Sequence, residues 1–294
     1  MKKIRHLLEY VPIYLLYHLC RLLGFRRTSN LGGFIGRHIG YWYALLTKVA
    51  DKNIQRVFPT LAPDERKKII KKSADNFGRT FFEYFVLDLA EQDPAFKNES
   101  NGFDKVEDYL AGKRPIIGFS AHLGNWEMGA KDYLSHGYAL TTIYRTINNP
   151  YVNALILKCR GTIVANQISK GKGSGMASIR ALKSGQHMVI LVDQKFNEGV
   201  DIPFFGHAAK TADGFVKLAI AANAYLIPII ITRHNETQFI VRYLDDVIDP
   251  TQMTIEDCLL KVNHYLEEWI KAYPDQWFWF HRRWDKSFYR TPQP

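Results

Sequence analysis

Cysteine is scarce in this 294-residue chain, and none of its cysteines lies close to another. The three cysteines, Cys20, Cys159 and Cys258, are odd in number, which argues against a disulfide framework and fits a reducing compartment. No cysteine–histidine cluster has the spacing of a zinc site, so no metal is expected. Internal repeats and low-complexity segments are also missing, and the 47% of hydrophobic residues predict an ordinary globular core.

Long uncharged runs are missing as well. The longest run without Asp, Glu, Lys or Arg extends from Tyr10 to Cys20 and covers 11 residues. As a helix this run rises about 16 Å, whereas a membrane span needs roughly 20 apolar residues. A signal peptide is disfavoured too, because no cleavage site of small residues follows the run. A helix that crosses the membrane is therefore not predicted from this segment alone.

Acidic residues are rare in the first 50 positions, which carry eight Lys and Arg against the single Glu9. Because the same stretch is rich in Leu, Ile, Phe and Tyr, it has the character of a segment bound to a membrane surface. We interpret residues 1–50 as membrane-associated helices on the cytoplasmic side, broken near Thr28-Ser29-Asn30 and Gly32-Gly33. The competing interpretation is a helix packed on the core of the protein itself. Nucleic acid is not expected as a partner, since no nucleic-acid-binding motif accompanies the charge.

Strand and helix patterns alternate from residue 115 onward. Apolar runs predict strands at Ile116–Ser120, Thr141–Tyr144, Met188–Val192, Leu226–Thr232 and Phe239–Arg242. Helices are predicted at Asn125–Ser135, Pro150–Arg160, Gly175–Lys183, Thr211–Ala224 and Thr254–Lys271, the last with Thr254 as its cap. We therefore expect residues 51–294 to form one α/β domain with a mixed, largely parallel sheet flanked by helices.

Polar residues follow two of the predicted strands. His122 comes after Ile116–Ser120, and Asp193-Gln194 comes after Met188–Val192. In open α/β sheets, binding and catalytic sites lie just beyond the carboxyl ends of the strands. Glu127 stands five residues after His122, and the turn-prone Gly124-Asn125 between them would let the two side chains meet. We predict that Glu127 accepts a hydrogen bond from one imidazole nitrogen and leaves the other as a base. The alternative is a strand-end histidine bonded to backbone, with Glu127 as a first-turn helix carboxylate.

The chain resembles the late acyltransferases of lipid A biosynthesis, the lauroyl and myristoyl transferases of Gram-negative bacteria. The similarity rests on ordered motifs that span nearly the whole chain: His122-x4-Glu127, Tyr144-Arg145 with Asn149-Pro150, Arg160-Gly161, Asp193-Gln194, Pro203-Phe204-Phe205-Gly206, and Pro274-x-Gln276-Trp277-Phe278-Trp279-Phe280-His281-Arg282-Arg283-Trp284. The aromatic and basic ending is the most specific of these motifs.

The resemblance implies transfer of an acyl chain from an acyl thioester, usually acyl carrier protein, to the 3-hydroxyl of a hydroxyacyl chain on a lipid A precursor. His122 would be the general base and Glu127 its partner, as in an Asp–His pair of serine hydrolases. Arg160, Asp193, Arg145 and Gln194 are the candidate substrate-binding residues. No cofactor is implied, since the carrier thioester is a co-substrate. The resemblance also implies the cytoplasmic face of the inner membrane.

Several basic surfaces are candidates for anionic groups of the substrates. Arg145, Lys172 and Arg180 are candidates for phosphates or a carboxylated sugar on the acceptor. A basic face for the acidic carrier protein would come from the α-helical run of Lys67, Lys68, Lys71 and Lys72 or from Arg282-Arg283. The loop Gly171-Lys172-Gly173-Ser174-Gly175 has a composition that suits phosphate but is not a P-loop, and we interpret it as a flexible loop before a helix.

Three other functions remain open from the residues. A related acyltransferase could use the same chemistry on another membrane lipid. A catalytically inert lipid-binding protein could keep the fold, although the presence of both His122 and Glu127 argues against it. A hydrolase with Ser120 as nucleophile is the third, but Ser120 lacks the Gly-x-Ser-x-Gly elbow of such enzymes.

Overall fold

A computed structural model describes residues 2–112, 114–164 and 166–290 of the chain. Its helices are α1 (Lys2–His38), α2 (Ala44–Val57), α3 (Pro63–Glu83), α4 (Phe103–Leu110), α5 (Glu127–Ser135), α6 (Pro150–Arg160), α7 (Ser174–Lys183), α8 (Gly214–Ala222), α9 (Ile255–Ala272) and α10 (Lys286–Arg290). Short 3₁₀ helices occupy Gly40–Trp42 and Tyr84–Gln92.

The described strands form one large sheet and a separate hairpin. They are β1 (Lys97–Asn101), β2 (Ile116–Ser120), β3 (Leu140–Tyr144), β4 (Asn166–Ser169), β5 (His187–Leu191), β6 (Val200–Phe204), β7 (His207–Thr211), β8 (Tyr225–Arg233) and β9 (Gln238–Tyr243). Seven of them make a sheet in the order β1-β9-β8-β2-β5-β3-β4, in which only β8 and β9 run antiparallel, while β6 and β7 form the hairpin. The predicted mixed, largely parallel sheet is confirmed.

Helices cover both faces of the sheet. The side chains of its central strand, β2, therefore alternate between two hydrophobic clusters, one on each face. Ile117 and Phe119 of β2 pack in one cluster with α8 and α9. Ile116 packs in the other cluster, which also contains Met128 and Tyr133 of α5. Every residue of β2 is buried, as expected for a central strand covered on both sides.

All five predicted strands are present, each within one residue of the predicted bounds, but four strands were not predicted. The strands β1 and β4 lie at the two edges of the sheet. Their sequences are mostly polar, with residues such as Lys97, Asn98 and Asn166, so they lack the apolar pattern that predicts a strand. The hairpin of β6 and β7 contains Pro203, which is tolerated because this pair lies outside the main sheet.

The predicted helices are confirmed, although some of their first and last residues differ from the prediction. Pro150–Arg160 has the predicted bounds, and the Thr254 hydroxyl caps α9 by accepting a hydrogen bond from the Asp257 N–H at 3.1 Å. The predicted start of α8 at Thr211 is wrong, because Thr211 belongs to β7 and pairs with Val200. This helix begins only at Gly214.

The N-terminal helix α1 bends at Gly24, where the backbone has φ 74° and ψ −179°. The break predicted near Thr28-Ser29-Asn30 is therefore misplaced. Thr28 and Ser29 are fully buried, and the second half of α1 packs closely along α3. A Cβ added at Gly36 would lie 2.0 Å from the Ala74 carbonyl oxygen, so this close approach requires glycine.

The first half of α1 has two apolar faces, of which only one is packed. Cys20 and Tyr17 on the inner face join the hydrophobic cluster that contains α5. Ile4, Leu8 and Leu22 on the outer face are exposed, and Leu22 is 85% exposed. The alternative of a helix packed on the protein itself thus holds for one face. No helix in the described part of the chain is both long and apolar enough to cross a membrane.

Candidate active site

His122 lies at the carboxyl edge of the sheet, two residues after β2. Ala121 and His122 lead into a tight turn in which Gly124 has φ 62°. A Cβ at Gly124 would lie 2.5 Å from the Ile231 carbonyl oxygen, so both the conformation and the space require glycine. The carbonyl oxygen of Gly124 accepts hydrogen bonds from Asn76 Nδ2 at 2.9 Å and from Thr80 Oγ1 at 3.0 Å, which anchors the turn to α3.

The carboxylate partner of His122 is Asp193. His122 Nδ1 lies 2.7 Å from Asp193 Oδ1, and the backbone N–H of His122 donates to Asp193 Oδ2 at 3.0 Å. The indole N–H of Trp277 donates to the same Oδ2 at 2.7 Å. Asp193 is only 2% exposed, and burial by itself would raise its pKa. The adjacent imidazole and the three donors outweigh burial and lower the pKa of Asp193 to about 2.

The hydrogen bond predicted between His122 and Glu127 is not formed. The physical reason lies in the strand order, because β5 runs parallel to β2 with Leu191 beside Ser120. The residues that follow these two strands emerge side by side, and the Val192 N–H still donates to the Ser120 carbonyl at 3.0 Å. Asp193 therefore reaches Nδ1 directly.

Glu127 belongs to a second network beside the first. Its Oε1 accepts from the Tyr84 hydroxyl at 2.6 Å and its Oε2 accepts from Arg160 Nε at 3.1 Å. Its backbone N–H donates to Asn125 Oδ1 at 3.0 Å, and the Trp126 indole N–H donates to the Tyr84 oxygen at 2.9 Å. Burial lowers the pKa of Arg160, but the Glu127 and Tyr84 oxygens reverse the effect and raise it. The arginine is thus held as a cation by a buried carboxylate.

Tyr84 is a proton donor in this network. Burial and the adjacent Glu127 carboxylate raise its pKa well above the usual value for tyrosine. The phenol therefore keeps its proton and donates a hydrogen bond to Glu127.

The remaining nitrogen of His122 faces a cavity of about 600 Å³. With Nδ1 donating to Asp193, the neutral imidazole carries its lone pair on Nε2, which is the arrangement of a general base. Gln194 Nε2 lies 3.4 Å from this atom, and the ring of Trp126 packs against the imidazole edge with centroids 5.0 Å apart.

The lining of the cavity combines apolar side chains, polar groups and basic side chains. The apolar wall includes Leu140, Ile143, Val189, Leu191, Phe215 and Leu218. His122, Glu127, Arg160 and Gln194 add polar groups to the lining, and the exposed Arg145 and Lys170 form a basic rim. A long apolar chain and a polar reacting group can therefore be held together here.

The structure brings most of the predicted site residues together. His122, Glu127, Arg160, Gln194 and Arg145 all line the cavity, whereas Asp193 lies behind His122. Lys172 and Arg180 are exposed and do not line it.

Sequence reasoning missed Tyr84, Trp126, Lys170 and Lys195, which also line the cavity. Trp126 and Lys195 were within reach of prediction, because each adjoins a residue of a recognised motif. Tyr84 gave no signal, since it stands in the aromatic stretch Phe77–Leu89, whose composition is that of an ordinary hydrophobic core.

The C-terminal segment 276–283 holds the two strand ends in place. The N–H of Phe278 donates to the His122 carbonyl at 3.0 Å, and the N–H of Gly124 donates to the Gln276 carbonyl at 3.3 Å. His281 Nε2 accepts from the Lys195 N–H at 2.8 Å. Burial lowers the pKa of His281 to about 4, so this ring is neutral and able to accept.

Arg283 is not available to an acidic partner, contrary to the prediction for Arg282-Arg283. It is 0% exposed and donates to the Lys210 carbonyl at 3.1 Å and to Thr211 Oγ1 at 2.9 Å. Its guanidinium also stacks over Phe204, with 4.5 Å to the ring centroid. The motif arginine is therefore a structural link to the β6–β7 hairpin.

A second pocket of about 690 Å³ lies beside α3, away from His122. Lys68, Lys71 and Lys72 line it, together with Arg37 and Arg233. His122, Asp193, Glu127 and Arg160 do not line this pocket, so its size does not make it the reactive site.

Comparison with known proteins adds to this geometry. Residues 1–286 match the family model of the bacterial lipid A biosynthesis acyltransferases. The chain is 24% identical over 241 residues to the lipid A biosynthesis lauroyltransferase of Escherichia coli (strain K12), which covers 80% of this chain and 78% of that protein. It is 23% identical over 262 residues to a lipid A biosynthesis acyltransferase of Haemophilus influenzae (strain ATCC 51907 / DSM 11121 / KW20 / Rd), covering 87% and 80%. It is 21% identical over 258 residues to the lipid A biosynthesis palmitoleoyltransferase of Escherichia coli (strain K12), covering 85% and 83%.

Proposed function

The chain belongs to the bacterial lipid A biosynthesis acyltransferase family, and from this premise we propose that it moves a fatty acyl chain from acyl carrier protein to a hydroxyl of a lipid A precursor. Family membership makes the protein an acyltransferase of lipid A biosynthesis. The proposal concerns the donor, the acceptor hydroxyl and the residues that carry the reaction. The observation that carries it is the imidazole of His122, held by Asp193 on one side and facing the cavity on the other.

The reaction needs a base because a hydroxyl is a weak nucleophile at neutral pH. His122 Nε2 takes the proton of the acceptor hydroxyl as its oxygen attacks the carbonyl carbon of the thioester. A C–O bond forms and the carbonyl oxygen becomes an oxyanion. When the tetrahedral intermediate collapses, the C–S bond breaks and the leaving thiolate takes the proton from the imidazolium. Asp193 stabilises that imidazolium and fixes the tautomer that accepts the proton.

The oxyanion needs donors that are already in place before the reaction. Arg160 lines the cavity and binds Glu127 through its Nε, which leaves its two terminal nitrogens for another acceptor. We assign these nitrogens to the oxyanion, with Glu127 as the residue that positions the guanidinium. The Gln194 amide, 3.4 Å from His122 Nε2, is suited to orient the acceptor hydroxyl.

The acceptor we propose is the 3-hydroxyl of a hydroxyacyl chain already attached to the precursor. The apolar wall formed by residues such as Leu140, Val189 and Phe215 supports acyl chains in the cavity, since such walls bind chains by excluding water. His122 lines the same cavity, so a hydroxyl within an otherwise apolar chain can meet its imidazole. A carrier thioester supplies the second chain.

We propose the cytoplasmic face of the inner membrane as the place of the reaction. Exposed Leu8, Leu15 and Leu22 lie on the outer face of α1, and Lys2, Lys3 and Arg5 stand at its start. Asn149, four residues after the cavity-lining Arg145, donates to the His6 carbonyl at 2.7 Å, which links the start of α1 to this part of the chain. A membrane lipid and the cavity are thus near neighbours.

The test is mass spectrometry of a tetra-acylated lipid A precursor after incubation with the purified protein and medium-chain acyl carrier protein. We expect the mass of one acyl group to be gained by the wild-type protein and not by His122→Ala. A gain that persists in His122→Ala would refute the assigned base. No gain with several donors would direct attention to another membrane lipid as acceptor, and hydrolysed thioester would indicate a thioesterase.

A further inference from the structure

We infer that the mouth of the His122 cavity contains a subsite for a phosphate ester, formed by Arg145 and Lys170. The inference rests on the proposed function, because it concerns how a substrate of that reaction is held. It is drawn from a pair of cations that the strand order places together.

Arg145 and Lys170 leave neighbouring strands at the same edge of the sheet. The strands β3 and β4 run parallel, and the last pair in their register joins Tyr144 to Ser169. The backbone N–H of Lys170 donates to the Tyr144 carbonyl at 2.7 Å, so the two chains are still adjacent one residue later. Both cationic side chains are exposed and both line the cavity.

The two cations have no acidic partner among the described residues. Glu127 is the one carboxylate in the described lining of the cavity, and it is occupied by Arg160 and Tyr84. Lys170 is instead held over the ring of Phe196, with 4.6 Å from Nζ to the centroid. Like charges on adjacent strands repel, and a bound anion would remove that repulsion.

The beginning of α7 adds to the positive potential at this mouth. Ser174 and Gly175 line the cavity, and the residue before the helix, Gly173, provides no capping side chain. The first N–H groups of a helix and its dipole favour an anion. Ser178, one turn further along α7, also lines the cavity, and its fully buried hydroxyl has no hydrogen-bond partner among the described residues.

A phosphate ester fits these groups better than a neutral sugar or an acyl chain. Two cations and a helix start suit a compact anion with several acceptor oxygens. Such a group has two sources in the proposed reaction, a phosphate on the glycolipid acceptor and the phosphodiester of the pantetheine arm on the carrier protein. The chemistry of the subsite is the same for both.

The experiment measures KM for the acceptor and for the carrier thioester separately in the variant Arg145→Gln/Lys170→Gln. Loss of the cations is expected to raise one KM by roughly tenfold or more, because contacts to a charged group are among the stronger hydrogen bonds. A rise for the acceptor assigns the glycolipid phosphate, and a rise for the donor assigns the pantetheine phosphate. The matched control is Lys172→Gln/Arg180→Gln, which removes the same charge from exposed positions outside the cavity.

The subsite is refuted if both KM values in Arg145→Gln/Lys170→Gln stay within threefold of the control. A wild-type protein that transfers no acyl group would refute the proposed function instead. The subsite is then decided by calorimetric titration with dodecyl phosphate below its micelle concentration. Binding that is at least tenfold weaker in Arg145→Gln/Lys170→Gln than in the control supports it, and equal binding or no binding to the wild-type protein refutes it.

Discussion

At the scale of single residues, the central feature is that the two buried carboxylates of the site, Asp193 and Glu127, bind different partners. Asp193 binds the imidazole of His122, and Glu127 binds the guanidinium of Arg160. Each buried acid is matched by one partner that becomes or remains cationic, which is how buried charge is usually tolerated. The proposed base and the proposed oxyanion donor are therefore tuned separately.

Asp193→Asn tests the role of the carboxylate that orients His122. The amide has nearly the same shape but cannot stabilise an imidazolium or enforce the Nδ1–H tautomer. By analogy with serine hydrolases, kcat is expected to fall by about 10³- to 10⁴-fold while KM changes little. The measurement is steady-state acyl transfer, with Asp108→Asn on the exposed side of α4 as the matched control. A kcat within tenfold of the control would rule out Asp193 as the orienting residue.

Single residues could be predicted where a motif followed a strand, but their partners could not. His122 and Asp193 were both located at strand ends from the sequence. Which acid reaches the imidazole depends on β5 lying directly beside β2, and strand order is not visible in local patterns. The spacing of Glu127 suggested the wrong hydrogen bond for this reason.

At the scale of elements, the C-terminal segment 276–283 acts as a strap across the active site. It bonds to the backbone of His122 and Gly124, to the Asp193 side chain, and to the backbone of Lys195. These contacts to the residues that follow β2 and β5 explain why this segment contains tryptophan and histidine. The motif was recognised from the sequence, whereas its role as a strap needed the tertiary contacts.

His281 makes the stability of this strap depend on pH. Because burial lowers its pKa to about 4, compared with 6.5 as the ordinary value, the unfolded chain binds a proton more readily than the folded one. Its contribution to folding is therefore fully present above pH 6.5 and is lost as the pH falls toward 4. We expect this loss to be on the order of 2 kcal/mol, reduced by the partial exposure of the ring.

The measurement is the free energy of unfolding of the wild-type protein and of His281→Gln at pH 7 and at pH 4.5. Gln has an oxygen that can accept from the Lys195 N–H but does not titrate, so the difference between the two proteins should change between the two pH values. Asp193 does not interfere, because its contribution is lost only as the pH falls from the ordinary aspartate pKa of 3.8 toward the lowered pKa of about 2. A constant difference across the range would contradict the prediction.

The helices and strands that could be predicted are those with a strong periodic pattern or a cap. The buried strand β2 and the capped helix α9 belong to this group. The edge strands β1 and β4 escaped detection because their polar residues resemble a loop. The bend at Gly24 escaped because nearby Ser, Asn and Gly residues looked like better breaks, although packing against α3 keeps them helical.

At the scale of the whole molecule, basic charge and exposed apolar side chains lie on the same element. The chain has a net charge of +10, and the first 50 residues carry eight basic residues against Glu9. The outer face of α1 is exposed although the inner face is packed. The proposed reaction on a membrane lipid would gain from this arrangement, because Asn149, four residues after the cavity-lining Arg145, is linked to the start of the same helix.

The triple variant Leu8→Gln/Leu15→Gln/Leu22→Gln tests whether this face binds the membrane. Each leucine is more than 60% exposed, so its replacement removes apolar surface without disturbing the packed face. We expect partitioning onto vesicles that contain anionic lipid to fall by roughly 100- to 200-fold, at about 1 kcal/mol for each leucine that is half-buried in the lipid when the protein is bound. Sedimentation with vesicles measures the bound fraction. The control Leu134→Gln/Ile220→Gln/Leu260→Gln alters three exposed residues outside α1 and should bind like the wild-type protein. An equal loss in both variants, or none in either, would show that α1 does not direct binding, and the membrane-facing side of the molecule would have to be sought elsewhere.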